Sequence, residues 1–341
     1  MPRTKRVTIA DIARLAGVSP GAVSFALNGR PGVSEETRQR ILEIADANHW
    51  APSSTARALV GAKAGVVGLA VNRPARTLGT EAFFTDLIAG AQSSLGARRI
   101  GLQLVVVQAV EDEMETYRRW RRSNQVDGVL VLDPRIDDPR PDLLRSLGLP
   151  SITIGGQPSD GDEHATLWLD DSAAADTVFG YLAGLGHRDI VYISGPREHE
   201  HVRLRGGVLA DMADREVNGE VIETDYSPVQ VASVMRTLLS RRERPTAVVF
   251  DNDMMAVAGL RVTQEMGVAV PDALSLASFD DSIVTGLVHP SITCLTRDTF
   301  TLGERAAEFL LEQLDSADVL EDRTGPRPTL TVRESTARPR A

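Results

Sequence analysis

The spacing of apolar residues divides the chain into two differently patterned segments. In residues 7 to 47 apolar side chains recur at helical spacing, in three short runs. Ile9, Ile12, Ala13 and Ala16 form the first stripe. Thr8 stands as its N-cap, Asp11 in the acidic position of a capping box, and Gly17 as its terminator. A second helix opens with Ser19 as cap and Pro20 at the first helical position, where a missing N–H costs nothing. Val23 and Leu27 are its buried stripe. After the breaker-rich turn "NGRPG", Ser34 caps a third helix whose core face is Ile41, Leu42 and Ala45. Helix, tight glycine turn, helix and supporting helix is the helix-turn-helix arrangement, whose second helix enters the DNA major groove.

From about residue 65 the pattern changes to short β-branched runs separated by helical stretches. Strands are predicted at 65–71, 101–107, 127–132, 151–155, 189–195, 246–250 and 274–279. Near-continuous apolar strands between helices imply parallel sheets covered on both faces. Two doubly wound units in series place a ligand cleft at the carboxyl ends of the strands. The fold class is therefore α + α/β: a small helical head and a two-lobed α/β body. No GxGxxG follows the first strand and no GxxxxGK[ST] occurs, so no nucleotide cofactor is expected.

Charge sharpens this division. The 341 residues carry a net charge of −10, which is unpromising for a nucleic-acid binder. Residues 1–64, however, hold nine Lys/Arg against five Asp/Glu, and the remainder 28 against 42. A basic head on an acidic body suits a DNA-contacting head and a body that stays off the phosphates. No run approaches a membrane span, no apolar leader follows Met1, and Cys294 is the sole cysteine, so a cytoplasmic protein without disulfides is expected.

The stretch "VTIADIARLAGVSPGAVSFALNGRPGVSEETRQRILEIADANHWAPSSTARALVGAKAG" resembles the head and hinge of the LacI/GalR family of bacterial transcription regulators. The resemblance implies a head at 7–53, a hinge helix and linker at 54–65, and an effector-binding and dimerisation body at 66–341. A helix as short as the hinge is marginal in water and needs a partner to fold. In the family it folds on operator DNA, and its leucine, Leu59 here, wedges into the minor groove. Arg57 is placed to reach phosphate or that groove.

The family's base-reading positions fall on Pro20, Gly21 and Phe25, none of which can make a bidentate bond to a base. Phe25 either meets thymine methyls or packs on the head. Thr8, Ser19, Ser24, Asn28 and Arg30 complete the candidate DNA contacts, several of them to phosphate. Sequence reading is then expected to lean on the hinge wedge and on DNA deformability.

The body is similar to the family's effector domain, itself like periplasmic sugar-binding proteins. By that likeness the first lobe is about 66–165 and 295–325, and the second about 166–294 and 326–341. The family's effector-holding arginine, asparagine and aspartate match Arg203, Asn252 and Asp280, and a cleft aromatic matches Phe84. Such a set suits a polyol. The alternatives are a surface charge for Arg203, a helix cap for Asp280 and a core side chain for Phe84. Arg73 and Arg76, in a segment longer and more basic than the family's usual one, are expected as solvated loop charges, with an anionic ligand as the alternative. His199 and His201 are expected in a surface loop, with no metal site. No catalytic set can be assembled, so no enzyme is expected. The expectation is a homodimeric repressor that binds pseudo-palindromic double-stranded operator DNA under control of a sugar-like effector. The dimer would use the helix around 81–96, and no coiled-coil tetramer is expected. A solute-binding protein without a regulatory role is the alternative.

Overall fold

The computed structural model describes residues 7–27, 31–48, 50, 63–158 and 164–340, apart from the side chains of Arg76 and Thr77. The expected hinge lies almost wholly outside the described residues, as do Asn28, Arg30, Arg57 and Leu59. The chain forms two compact units, a head within Met1–Ala64 and a body of Gly65–Arg122 and Val126–Ala341.

The head has helices Ile9–Ala16, Pro20–Leu27 and Glu35–Ala47. Thr8 and Asp11 form a complete capping box, and Gly17 closes the first helix in the left-handed region at φ 66°. Ser19 Oγ accepts from the Ala22 N–H at 3.2 Å. Ile12, Ala13, Ala16, Val23, Ala26 and Ile41 make the core, and Ile44 and Trp50 pack against it. Leu42, expected inside, is 46% exposed, because the third helix turns Ile41 and Ala45 inward instead.

The body has two six-stranded sheets. The first runs in the order β11-β5-β4-β3-β1-β2, with β1 Val66–Asn72, β2 Gly101–Val107, β3 Gly128–Val131, β4 Ser151–Ile154, β5 Ala165–Trp168 and β11 Arg323–Thr324. The second runs β12-β10-β9-β8-β6-β7, with β6 Asp189–Ser194, β7 Asn218–Glu223, β8 Ala247–Phe250, β9 Ser275–Ser278, β10 Thr293–Thr296 and β12 Thr329–Thr331. All pairings are parallel except β10 with β12.

The inner strands of both sheets are buried on both faces, which explains their unbroken apolar runs. In the first lobe, Leu69 and Val71 point to helices Ala82–Ala97 and Thr299–Asp315, and Ala70 to Tyr117 and Trp120. Two glycines let that helix pair meet closely: a Cβ on Gly303 would lie 2.1 Å from the Leu87 carbonyl oxygen, and one on Gly90 2.0 Å from that of Phe300. In the second lobe, Val191 and Ile193 face helices Pro228–Leu239 and Asp253–Glu265, while Ile190 and Tyr192 face Asp171–Leu185.

Two expected lobe boundaries need correction. β5 pairs with β4 and β11, so the first crossing follows Trp168 and not residue 165. β10 pairs within the second sheet as far as Thr296, so the second crossing follows that residue and not 294. The third lies between Thr324 and Thr329.

Candidate functional site

The carboxyl ends of the strands converge on one cleft in the body. β1 leads to Arg73, β3 to Asp133, β4 to Gly155 and Gly156, β5 to Asp171, β7 to Tyr226, β8 to Asp251 and Asn252, β9 to Asp280 and β10 to Arg297. This is where an open parallel sheet leaves its backbone ends unsatisfied and its ligands bind. The cavity measures ≈ 70 Å³, and Glu81, Phe83, Phe84, His201 and Arg205 also line it.

The charged groups are largely tied to one another. Arg205 Nη1 donates to Asp251 Oδ1 and Nη2 to Asp171 Oδ1, both at 2.7 Å, and its guanidinium lies 4.4 Å from the Phe279 ring centre. Asp251 also accepts from the Tyr192 hydroxyl and, at 3.1 Å, from the Gly195 N–H. Burial alone would raise the Asp171 and Asp251 carboxyls, and the Arg205 guanidinium outweighs it, so both stay below the usual carboxylate range. Arg73 pairs with Asp133 at 2.9 Å and lies 4.0 Å from the Tyr226 ring centre. Asp133 is lowered to about 2: burial opposes this, and Arg73 is the strongest of the positive charges that bring it about.

Other groups are left open. The Arg297 side chain, 7% exposed, makes no hydrogen bond among the described residues and has Asp171 at 3.7 Å as its ion-pair partner. Asn252 caps helix Asp253–Glu265 through Oδ1, accepting from the Met255 N–H at 2.8 Å, and leaves its buried Nδ2 without a partner. Among the described residues Asp280 makes no side-chain hydrogen bond, and Ser282, not Asp280, holds the N-cap position of the short helix that follows, Ile283–Leu287. Burial pushes Asp280 up to about 6, against the pull of the Arg205 and Arg297 guanidinium groups and with the help of Asp253 and Asp251. Phe84 is buried in the first-lobe core and lines the cleft as well.

Three expectations are corrected here. Arg203 does not face this cleft. Its side chain is 53% exposed, and Arg205 stands in the cavity instead. Two positions along a helix is a turn of about 200°, so the two arginines leave helix Glu200–Asp211 on opposite sides. Arg73 is not a solvated loop charge, because it is buried between Asp133 and Tyr226. His199 and His201 are not in a surface loop. His199 is buried as the N-cap residue of helix Glu200–Asp211, and His201 lines the cleft. The rings stack 5.5 Å apart. The cause is a backbone bridge between the lobes: the Ile136 N–H donates to the Glu198 carbonyl at 3.0 Å, and the Glu200 N–H to that of Pro134 at 2.9 Å. No group of three metal-ligating side chains occurs among the described residues.

On the head, Pro20, Gly21 and Phe25 are exposed, with Phe25 at 42%. A Cβ on Gly21 would meet only Ser19 Oγ, at 3.8 Å, so packing within the head does not call for a glycine there. Thr8 and Ser19 are exposed and serve as helix caps, and Ser24 is half-buried.

A helix-turn-helix head and a two-lobed body with a polar cleft define a ligand-binding DNA regulator. Residues 8–53 match the model described as bacterial regulatory proteins, lacI family, and residues 179–336 that of a periplasmic binding protein-like domain. The HTH-type transcriptional repressor PurR of Mannheimia succiniciproducens is 30% identical over 96% of this chain and 98% of its own. The HTH-type transcriptional regulator CelR of Thermobifida fusca is 30% identical over 98% and 100%. A CelR–cellobiose complex superposes with a TM-score of 0.71 at 26% identity, over 97% of this chain and 100% of that one. The lac repressor dimer bound to operator and the anti-inducer ONPF gives 0.82 at 22%, over 98% and 100%, a likeness of fold. The chain belongs to the LacI family of bacterial regulatory proteins, a family of transcription regulators and not of enzymes.

Proposed function

We propose that this chain is a homodimeric cytoplasmic repressor that binds a pseudo-palindromic operator and is switched by a saccharide-like effector in the cleft. The observation that carries the reading is the convergence of unbonded donors and acceptors at the strand ends. Arg297, Asn252 Nδ2 and the Asp280 carboxyl face one cavity beside Phe84, the complement of a ring bearing hydroxyls. Relatives point the same way: one solved structure holds cellobiose, and a relative 29% identical is the ribose operon repressor of Escherichia coli K12.

The cavity of ≈ 70 Å³ is small against the ~300–1,000 Å³ usual for ligand sites. An effector therefore enters as the lobes part, and its grip on both lobes shifts the balance between open and closed bodies. Linkage then couples the cleft to the operator, with the hinge around Leu59 as the element that folds on DNA. For the dimer, Val229, Ile283 and Leu287 are 80%, 80% and 77% exposed on the second lobe, on two helices that both pack on helix Asp253–Glu265. Such a patch suits a second copy. On the first lobe, helix Ala82–Ala97 buries one face against Thr299–Asp315 and shows Thr85, Asp86, Gln92 and Ser93 outward as a polar rim.

The reading is tested by selecting binding sites for the purified protein from a random DNA pool near physiological salt. The expected product is a palindrome with a sharp centre and loose flanks, since Pro20, Gly21 and Phe25 offer no side-chain hydrogen bonds to bases. Salt-sensitive binding to any duplex, without enrichment, would overturn it.

A further inference from the structure

Carboxyl groups outnumber guanidinium groups in the cleft. Arg73, Arg205 and Arg297 face Glu81, Asp133, Asp171, Asp251 and Asp280. Arg73 is matched by Asp133, Arg205 by Asp251 and Asp171, and Arg297 has Asp171 at 3.7 Å. Glu81 and Asp280 are left over: among the described residues neither carboxyl has a hydrogen bond or an ion pair within 4 Å, and the positive charges they feel are the more distant ones of Arg73, and of Arg205 and Arg297, respectively. Glu81 is only 5% exposed, and its Oε1 is buried without a partner. It occupies the N-cap position of helix Ala82–Ala97 but makes no capping bond, so the local backbone does not use it. The two carboxyls come from opposite lobes, Glu81 ahead of a first-lobe helix and Asp280 after β9 of the second.

We propose that Glu81 and Asp280 form a subsite for a protonated amine, so that the effector is an amino-substituted sugar or polyol. The proposal rests on the effector reading of the cleft given above and adds its charge. A buried carboxylate needs a partner of opposite charge or must take up a proton. Burial, with the charges of Asp280, Asp133 and Asp253, does push Glu81 up to about 8 despite Arg73 nearby. An ammonium group has three donors and no acceptor, and so can serve both carboxyls at once. A hydroxyl has one donor, and a phosphate or carboxylate would be repelled. A metal ion is the poorer occupant, because no group of three ligating side chains converges among the described residues. Arg297 and Asn252 Nδ2 remain for the ligand's oxygens. An ammonium held by both lobes would also favour the closed cleft.

The test uses the full-length protein, with thermal unfolding and titration calorimetry. The probes are ethanolamine and glucosamine against glycerol, glucose and glucose 6-phosphate, at matched ionic strength. Ethanolamine is so small that binding at about millimolar concentration is expected. The amines should raise the unfolding midpoint and the uncharged or anionic partners should not. At pH 7 binding should release about one proton, read from two buffers of different ionisation enthalpy, as Glu81 ionises against the ammonium. Glu81→Gln should weaken amine binding by about tenfold, the worth of one charge-assisted hydrogen bond. Asp280→Asn should do the same, and circular dichroism confirms that each variant folds. No shift with either amine, an equal shift with glycerol and glucose, or equal amine binding by wild type and Glu81→Gln would overturn the subsite. A protein that selects an operator yet ignores amines refutes this subsite alone. One that binds amines yet selects no operator refutes the repressor reading alone.

Discussion

Replacing Arg205 by methionine tests whether the centre of the cleft is an electrostatic unit. The guanidinium serves two buried carboxylates, each at 2.7 Å. Methionine keeps packing against Phe279 but removes the charge. Asp251 retains the Tyr192 hydroxyl and the Gly195 N–H, whereas Asp171 keeps only Arg297 at 3.7 Å. Leaving a buried charge without its partner costs about 3–5 kcal/mol. At roughly 2–4 °C per kcal/mol for a domain of this size, the body should melt about 10 °C lower at pH 7. The pH dependence identifies the cause. In the wild type both carboxyls are held below 3.8, so their stabilisation is present above that pH and is lost as pH falls through their folded values. In the variant only Arg297 and His201 still oppose burial, and Asp171 should rise above its unfolded value. It then folds best when protonated, and the stability deficit should shrink between pH 7 and pH 5. Thermal unfolding at the two pH values measures both effects. A midpoint within about 2 °C of wild type at pH 7, or a deficit unchanged at pH 5, would refute the account of the triad.

Thr8→Ala removes a capping box in which Thr8 Oγ1 donates to Asp11 Oδ2 at 2.7 Å, and should cost the head about 1 kcal/mol; denaturant unfolding of the full chain should show it in the head's transition, with the body's unchanged. Gly195→Ala puts a Cβ 1.9 Å from Tyr226 Cζ, so the ring must leave its place against Arg73; effector affinity should fall while operator selection by the head is kept, and equal effector affinity by calorimetry would contradict the role given to Tyr226. Gly303→Ala drives the first-lobe helices apart by backbone contact and should cost about 3 kcal/mol or more, read as a fall of the body's melting midpoint.

How far the site can be read from sequence depends on whether a residue's surroundings are local. The caps at Thr8 and Ser19 were legible because a cap is a contact over three residues. The buried strands β1, β3, β6 and β8 were legible as continuous apolar runs. β7 was not, because an edge strand such as "NGEVIE", exposed along most of its length, carries neither an apolar run nor a burial rhythm. Arg205 was within reach of local reasoning. It lies three residues after Val202 and four before Leu209, both buried on helix Glu200–Asp211, so its face is the inner one, while Arg203 lies off that face. Family resemblance pointed to Arg203, whereas Arg205, on the opposite face of the same helix, lines the cleft, and periodicity separates the two.

Glu81 carries a weaker signal of the same kind. Glutamate is a poor N-cap, and Glu81, directly ahead of "AFF", makes no capping bond, so the local backbone does not account for it. His199 carries none. Its burial comes from a bridge to a loop of the other lobe more than sixty positions earlier, and no window of sequence contains both. The cleft is assembled from side chains at eight strand ends and two helix starts, each tolerable locally and charged only in company. Composition can report that acids exceed bases in the body. Only the fold shows that two of those acids, Glu81 and Asp280, line one cavity without a hydrogen bond or close ion pair among the described residues, and that excess of carboxyl groups makes the charge of the effector a question of physics.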